Sequence, residues 1–471
     1  MIGLLTRPIS AARVPLMARE SYRRELATSW TFPVALSMTE GGVAGYIAAQ
    51  VFEASALQVA IITAAGMFTN LTSILWAHAT RGRRKVASIA AMMLGTLACV
   101  AGMGLLPIGP AGAWGLVVLV VIAHILRTGM LTARSTIWRH NYPRLHRGRI
   151  TSRLAMVVSI VLLAAPTAAS LLLEAAATPG TFRAICLLSA AIGLIGVVSF
   201  GRIRLRGERA LLRFEQLPGI EPTRHGDAVG IYEYDERVGR PSRPITGQRP
   251  VPQGMWAVLQ RDPLFRRYML WQFIAGVSNM MVEPVLVYMA AEETRALQGG
   301  FFIGMSLTHG LPVLLTVLTL PLWAAKLDRM HVVRFRVGQS WLWTVSQVII
   351  WAGAVWHGPV WATIALLALG RIVLGAARGA GTLAWNLGHN DFASRELVTV
   401  YMGIHVTLTG VRGVFAPFLG MALYTGFGGV PGIGGHVFAI SALLSFISVA
   451  GFWTLERKLK RLGPAAAPLM D

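Results

Sequence analysis

The stretches RTGMLTAR (127–134) and RIVLGAAR (371–378) lie 244 positions apart, and each carries two arginines seven residues from one another in a small, apolar setting. Working outward, Trp30 and Phe32 recur as Trp271 and Phe273, and Ser37 recurs as Ser278. YIAAQ (46–50) returns as YMAAE (288–292), and TSILWA (72–77) as TLPLWA (319–324). These matches keep their order at offsets of 241 to 247, so the chain is read as a tandem of two similar halves.

The matched segments sit in long apolar stretches. The chain of 471 residues is 54% hydrophobic and only 14% charged, with a mean hydropathy of +0.57. Soluble domains carry about 25% charged residues, so lipid is the expected solvent. Windows of roughly 20 apolar residues place spans near 28–52, 56–78, 86–108, 112–137, 151–175 and 181–202, then 265–290, 299–326, 333–356, 359–384, 397–424 and 432–455. The fold expected is an all-α membrane protein with twelve transmembrane helices in two parallel six-helix repeats. The divisions are an N-terminal segment (1–27), a first half (28–202), a linker (203–264), a second half (265–456) and a tail (457–471).

The formal charge of +22 alone would suggest nucleic acid, but its distribution excludes that partner. Alternate connections and both termini hold 36 of the 43 Lys and Arg residues; the opposite side holds Arg183 and Arg295, and five arginines lie inside spans. Basic loops are retained in the cytoplasm, which puts both termini and the linker there, with the first span as an uncleaved anchor. The excess of Arg over Lys, 39 against 4, points to a GC-rich bacterial genome and an inner membrane. The linker opens on IRLRGERALLRFEQL (203–217), read either as a helix on the anionic leaflet or as a solvated loop; 217–253 reads as disordered. Asp262-Pro263 reads as a cap opening span seven.

Two parallel six-helix halves joined by a long linker resemble the major facilitator superfamily over nearly the whole chain. The resemblance implies a substrate site near the midplane between the halves and rocking of one half against the other. Gly82-Arg83-Arg84-Lys85 matches that family's loop between helices two and three, with Ala79 where an Asp is expected; the second half supplies Asp328-Arg329. These are the gating-loop candidates. The helix-four pattern of Arg followed four residues later by Gly is met by Arg371 and Gly375, whereas Leu131 follows Arg127.

Ionisable groups at bilayer depth cost roughly 2.5–3.5 kcal/mol each and face a cavity or a partner. Arg127 and Arg371 sit mid-span on helices that resemble the family's cavity lining, and with Trp30 and Phe273 they are the substrate-binding candidates. Arg134 and Arg378 lie two turns nearer the cytoplasm and are expected to snorkel. Glu40 and Glu283 are the proton-coupling candidates, with static ion pairs to Arg127 or Arg371 as the rival reading. They do not fall at matching positions of the repeat. His405 and Arg412, on one face of span eleven, extend the proton-coupling set, and His124, one turn before Arg127, is placed to lengthen such a relay, with ordinary helix contacts as the alternative; His309 is a further ionisable group at membrane depth. Tyr46, Tyr288 and Trp385 read as membrane-belt aromatics.

Cys99 and Cys186 fall in apolar stretches and form neither a disulfide framework nor a zinc site. GFGGVPGIGG (426–435) follows no strand and is read as a turn rather than a phosphate loop. No metal, cofactor or enzymatic chemistry is expected. The function expected is secondary transport of a small organic solute, with an anionic tilt from the excess of intramembrane arginine and with a proton as co-substrate. The partners are the solute, the proton and membrane lipids, around a monomer. A proton-driven exporter of amphipathic compounds and a non-transporting sensor or scaffold are the alternatives.

Overall fold

The computed structural model describes residues 11, 14–176, 178–216, 234–235, 240–241, 255–327, 329–393 and 398–462. Twelve helical columns stand over the twelve apolar windows, but only nine of the described helices are both long and apolar enough to cross a membrane as single rods. The three exceptions have separate physical causes.

Span one is broken. Arg19–Ser37 ends in short-range turns, and Glu40 takes an extended conformation (φ −60°, ψ 133°) before Gly41–Val51 restarts the helix. Gly41 and Gly42 follow at once because other backbones press against them: a Cβ at Gly41 would lie 2.9 Å from the Thr63 carbonyl, and one at Gly42 2.9 Å from that of Thr308. Span two runs as Ala56–Phe68, a tight turn over Thr69–Thr72, and Ser73–Ala79. Thr69, Asn70 and Thr72 bond back to carbonyls three or four residues earlier, a competition that bends helices. Span nine, Val332–Ala354, is continuous but buries Arg336, Gln339, Ser340, Thr344 and Gln347, which lowers its hydropathy.

The remaining spans are Lys85–Met103, Pro110–Asn141, Arg144–Ala175 and Pro179–Gly201 in the first half. In the second half they are Pro263–Thr294, Val360–Leu387, Val398–Thr425 and Val437–Leu462. Span eight comprises Gly300–Met305, a wide π turn over Ser306–Gly310, and Leu311–Leu327. Asp262 does cap span seven, accepting from the amides of Leu264 and Phe265.

Packing repeats between the halves. Span one lies on six and five, and three lies on four and six; correspondingly seven lies on twelve and eleven, and nine on ten and twelve. Spans two and eleven, one and seven, and five and eight join the halves. Beyond span six, Glu208–Gln216 forms a helix against the loop between spans two and three. Tyr234–Asp235 and Arg240–Pro241 pair as two short antiparallel strands; the rest of 217–253, read as disordered from sequence, lies outside the described residues. The glycine-rich 426–435 is a small hairpin in which Gly426–Phe427 pairs with Val430–Pro431, turned by Gly428 and Gly429 at positive φ.

Gly420 of span eleven packs on span seven so closely that a Cβ would fall 1.8 Å from the Met281 carbonyl, whereas Gly338 faces open space. Gly420→Val is expected to destabilise the protein by about 1–3 kcal/mol through overpacking, read as a lowered melting temperature in detergent. Gly338→Val should melt like the wild type.

Candidate functional site

The break in span one decides the central site. It turns Glu40 away from the helical phase of Arg19–Ser37 and toward span four, where Arg127 Nη1 donates to Glu40 Oε1 at 2.7 Å. Both side chains keep about a quarter of their surface open. One turn earlier on span four, His124 Nε2 lies 2.8 Å from the Thr39 carbonyl and holds the broken strand of chain in place.

The second half makes the same pair on spans seven and ten. Arg371 grips Glu283 through both carboxylate oxygens, at 3.2 and 3.3 Å. The sequence reading had denied the two glutamates matching positions. The structure makes them equivalent, because the extended residues in span one reset the helical phase that an unbroken count assumes.

Equivalence ends at the guanidinium. Arg371 also donates to the carbonyls of Leu307 (2.8 Å) and Thr308 (2.7 Å) in the π turn of span eight, and is 1% exposed. A π turn leaves carbonyls without their usual helical partners, and Arg371 satisfies two of them. His309, in the same turn, reaches across the halves to the Leu162 carbonyl at 2.8 Å.

The two outer arginines also part company. Arg134, expected to snorkel, instead bonds Glu25 at 2.8 and 3.2 Å, and Trp138 and Tyr142 donate to the same carboxylate at 2.9 Å each. Glu25 is fully buried. Burial and the Glu25 charge push the Tyr142 hydroxyl, just past the end of span four, well above the ordinary tyrosine range. Arg378 is exposed and lines a cavity of about 50 Å³ with Glu283, Asn279, Thr63, Met67 and Trp343.

Of the aromatic candidates, Trp30 is 45% exposed on span one. Phe273 packs on Phe415 and lies 5.8 Å beneath the Arg412 guanidinium. His405 and Arg412 share a buried site inside the second half, away from Glu40. Tyr46 is no belt anchor: it is fully buried and bonds Thr294 and the Gly300 carbonyl across the halves. Trp385 lies edge-on over His405, and Tyr288 over Tyr424.

In the gating loop, the Gly82 amide and Lys85 Nζ both reach Glu215 Oε2 of the helix Glu208–Gln216 at 2.7 Å, and Arg84 lies 3.5 Å from Glu208. A carboxylate from after span six thus sits by the loop whose own position 79 is Ala. Arg83 and Arg329 are exposed; Asp328 lies outside the described residues. Among the described residues no His, Cys, Asp or Glu cluster could hold a metal ion.

Sequence reasoning passed over Glu25, Glu174, Glu215 and Arg336. Glu25, Glu174 and Arg336 lie near predicted span ends and Glu215 in the linker, where a charged residue reads as solvated. The signal available was weak: Arg336, Gln339, Trp343 and Gln347 repeat at helical spacing on one face of span nine.

The bonds joining the halves gather on the side opposite the linker. Besides Tyr46, Arg295 donates to the Ala49 carbonyl at 3.0 Å and Gln50 to that of Ala291. Glu174 of span five accepts from the amides of Gly299, Phe301 and Phe302, at 2.9, 2.8 and 3.3 Å, at the start of span eight. This seal borders a cavity of about 330 Å³ lined by Gln50, Glu174, Phe182, Arg295 and Phe301.

A sequence model of the Major Facilitator Superfamily matches residues 28–337. No protein of curated function matches the sequence. Solved structures similar to the chain include a mutant of the nucleoside transporter NupG, at TM-score 0.62 and 12% identity, covering 93% of this chain and 99% of that one. The inward-open xylose transporter XylE from E. coli and a D-xylose–proton symporter each align at TM-score 0.59 and 12% identity over 93% of this chain, and over 95% and 98% of their own. At this identity the likeness is one of fold.

Glu174 accepts three amides at the start of span eight and, with the His309–Leu162 bond, ties span five to span eight. Glu174→Ala removes charge-assisted bonds worth about 1.5–3 kcal/mol and should shift the protein roughly tenfold or more toward a state open on that side. An impermeant maleimide added there should then label Thr63→Cys faster than in the Glu174 background; Cys99 and Cys186 are buried.

Proposed function

The chain belongs to the major facilitator superfamily, and from that premise we propose that it is a proton-coupled secondary transporter of a small organic anion, working by alternating access between its halves. The observation that carries the substrate class is the uneven pairing of charge beside the cavity. Arg127 is matched by Glu40 and Arg371 by Glu283, and Arg378 remains exposed on a wall whose only carboxylate is already held by Arg371. A guanidinium so placed suits a carboxylate or phosphate group bidentately.

Proton coupling is assigned to Glu40. Glu283 is held by Arg371 through both oxygens, whereas Glu40 is held by Arg127 through one. Glu40 and Arg127 both belong to the first half, so parting them takes a movement of span one within that half. A carboxylate that loses its cation in a site closed to water is stabilised by taking a proton. The broken helix at Glu40 is the element able to move without unwinding a continuous rod.

Basic residues concentrate on the linker side, which supports cytoplasmic termini and an inner bacterial membrane. With that orientation the conformation described is sealed toward the outside. The xylose and nucleoside transporters of like fold support transport of a small molecule.

Melting of the purified protein with monocarboxylates, dicarboxylates and phosphate monoesters, with xylose and uridine as uncharged controls, tests the reading. An organic anion should stabilise the wild type, by about 2.7 kcal/mol at a hundred times its dissociation constant. Arg378→Gln should weaken that ligand roughly 10- to 100-fold, the worth of a charged hydrogen bond. Stabilisation by the uncharged solutes alone would refute the anionic reading. In proteoliposomes, Glu40→Gln should abolish acceleration by a pH gradient while leaving exchange intact; proton-driven uptake that survives it removes Glu40 from the coupling step. Arg371→Gln should act instead on folding, read as a lowered melting temperature, because it leaves two carbonyls of the π turn and Glu283 without their partner.

A further inference from the structure

Inside the second half, remote from the Glu40 pair, spans seven, nine and eleven enclose a second cationic site. Arg336 of span nine and Arg412 of span eleven are 4% and 3% exposed. Arg336 bonds Gln339 at 2.7 Å and the Tyr268 hydroxyl at 3.4 Å, leaving Nη2 without a partner. Arg412 donates to the Gln272 carbonyl and, at 2.8 Å, to Thr409, leaving Nε without one.

His405 is fully buried, and neither of its ring nitrogens has a partner; the charged groups acting on it are Arg336, Arg412 and His389, all basic. The site is shaped for its guanidinium. A Cβ on Gly276 would fall 1.9 Å from Arg412 Nη1 and 2.3 Å from its Cζ, so span seven carries glycine where Arg412 enters.

This breaks the rule that the chain keeps elsewhere. Arg127, Arg134 and Arg371 each have a carboxylate within 3.2 Å, but among the described residues no carboxylate bonds Arg336 or Arg412. A guanidinium does not shed its proton in a protein, and burying two of them without a counter-charge is strongly unfavourable. Mutual repulsion adds to that cost.

We propose that the site binds a small inorganic monovalent anion of the halide class, such as chloride, held by Arg336, Arg412 and an N–H of His405. Burial argues for an ion rather than an organic solute, since Arg336, Arg412 and His405 are 4%, 3% and 0% exposed. The polar face of span nine continues from Arg336 and Gln339 to Trp343, whose Nε1 is also unpartnered. The anion neutralises the interior of the second half and fixes span eleven against seven and nine. It does not depend on what the central cavity carries.

The test is the melting temperature of the purified full-length protein as sodium gluconate is replaced by sodium chloride or bromide at constant ionic strength. The wild type should show a saturable rise on the order of 5 °C. Arg336→Gln and Arg412→Gln should lose it, and Arg127→Gln and Arg378→Gln should keep it. His405→Leu removes a donor without removing a charge and should raise the half-saturating chloride concentration at least about tenfold, a reading available even where the arginine variants do not purify. A flat wild-type titration overturns the proposal in favour of ordered water. A halide effect that persists without Arg336 or Arg412, or disappears with Arg378→Gln, overturns it by placing the ion in the central cavity. Failure of organic-anion binding with a saturable halide response would sink the transport substrate and leave this site standing.

Discussion

A charged side chain inside a bilayer needs a partner, and the way this protein supplies partners organises the rest of its structure. Arg127, Arg134 and Arg371 each have a carboxylate of another helix within 3.2 Å. Those ties fix span four against span one at two levels and span ten against span seven at one. Arg371 goes further and holds open the π turn of span eight. Apolar packing alone specifies such a bundle weakly, because lipid competes equally well for apolar faces; the buried ion pairs supply direction and register.

The two halves use one plan with unequal rigidity. In the second half the arginine is locked among two carbonyls and a carboxylate. In the first half its counterpart keeps a single bond to a glutamate on a broken helix. Rigid in one half and loose in the other, the two pairs differ in how readily their carboxylate can change partner, and proton coupling is proposed at the looser one. Glu174, Tyr46 and Arg295 also seal the halves together on one side with bonds that water can replace.

The loop between spans two and three shows how an expected interaction is met from elsewhere in the chain. Its own acid is absent, with Ala79 in that place, and Glu215 reaches in from after span six to contact Gly82 and Lys85. The family likeness read from Gly82–Lys85 was therefore sound at the level of fold, while the local wiring could not be inherited residue by residue.

Hydrophobic run length, loop charge and the repeated segments are local properties, and they alone determined that this is a membrane protein of twelve spans in two halves. The intramembrane Glu40, Arg127, Glu283, Arg371 and Arg412 were equally visible, since charge in an apolar run stands out without any structure. What the sequence could not say was which charge meets which. That depends on helical phase, and the break at Glu40 and the π turn at Ser306–Gly310 shift phase by amounts no linear count records. Hence the matching of Glu40 with Glu283, the burial of Arg371, the capture of Arg134 by Glu25 and the uncompensated Arg336 and Arg412 were decided only by the tertiary structure, because only there do separate helices bring their side chains within bonding distance.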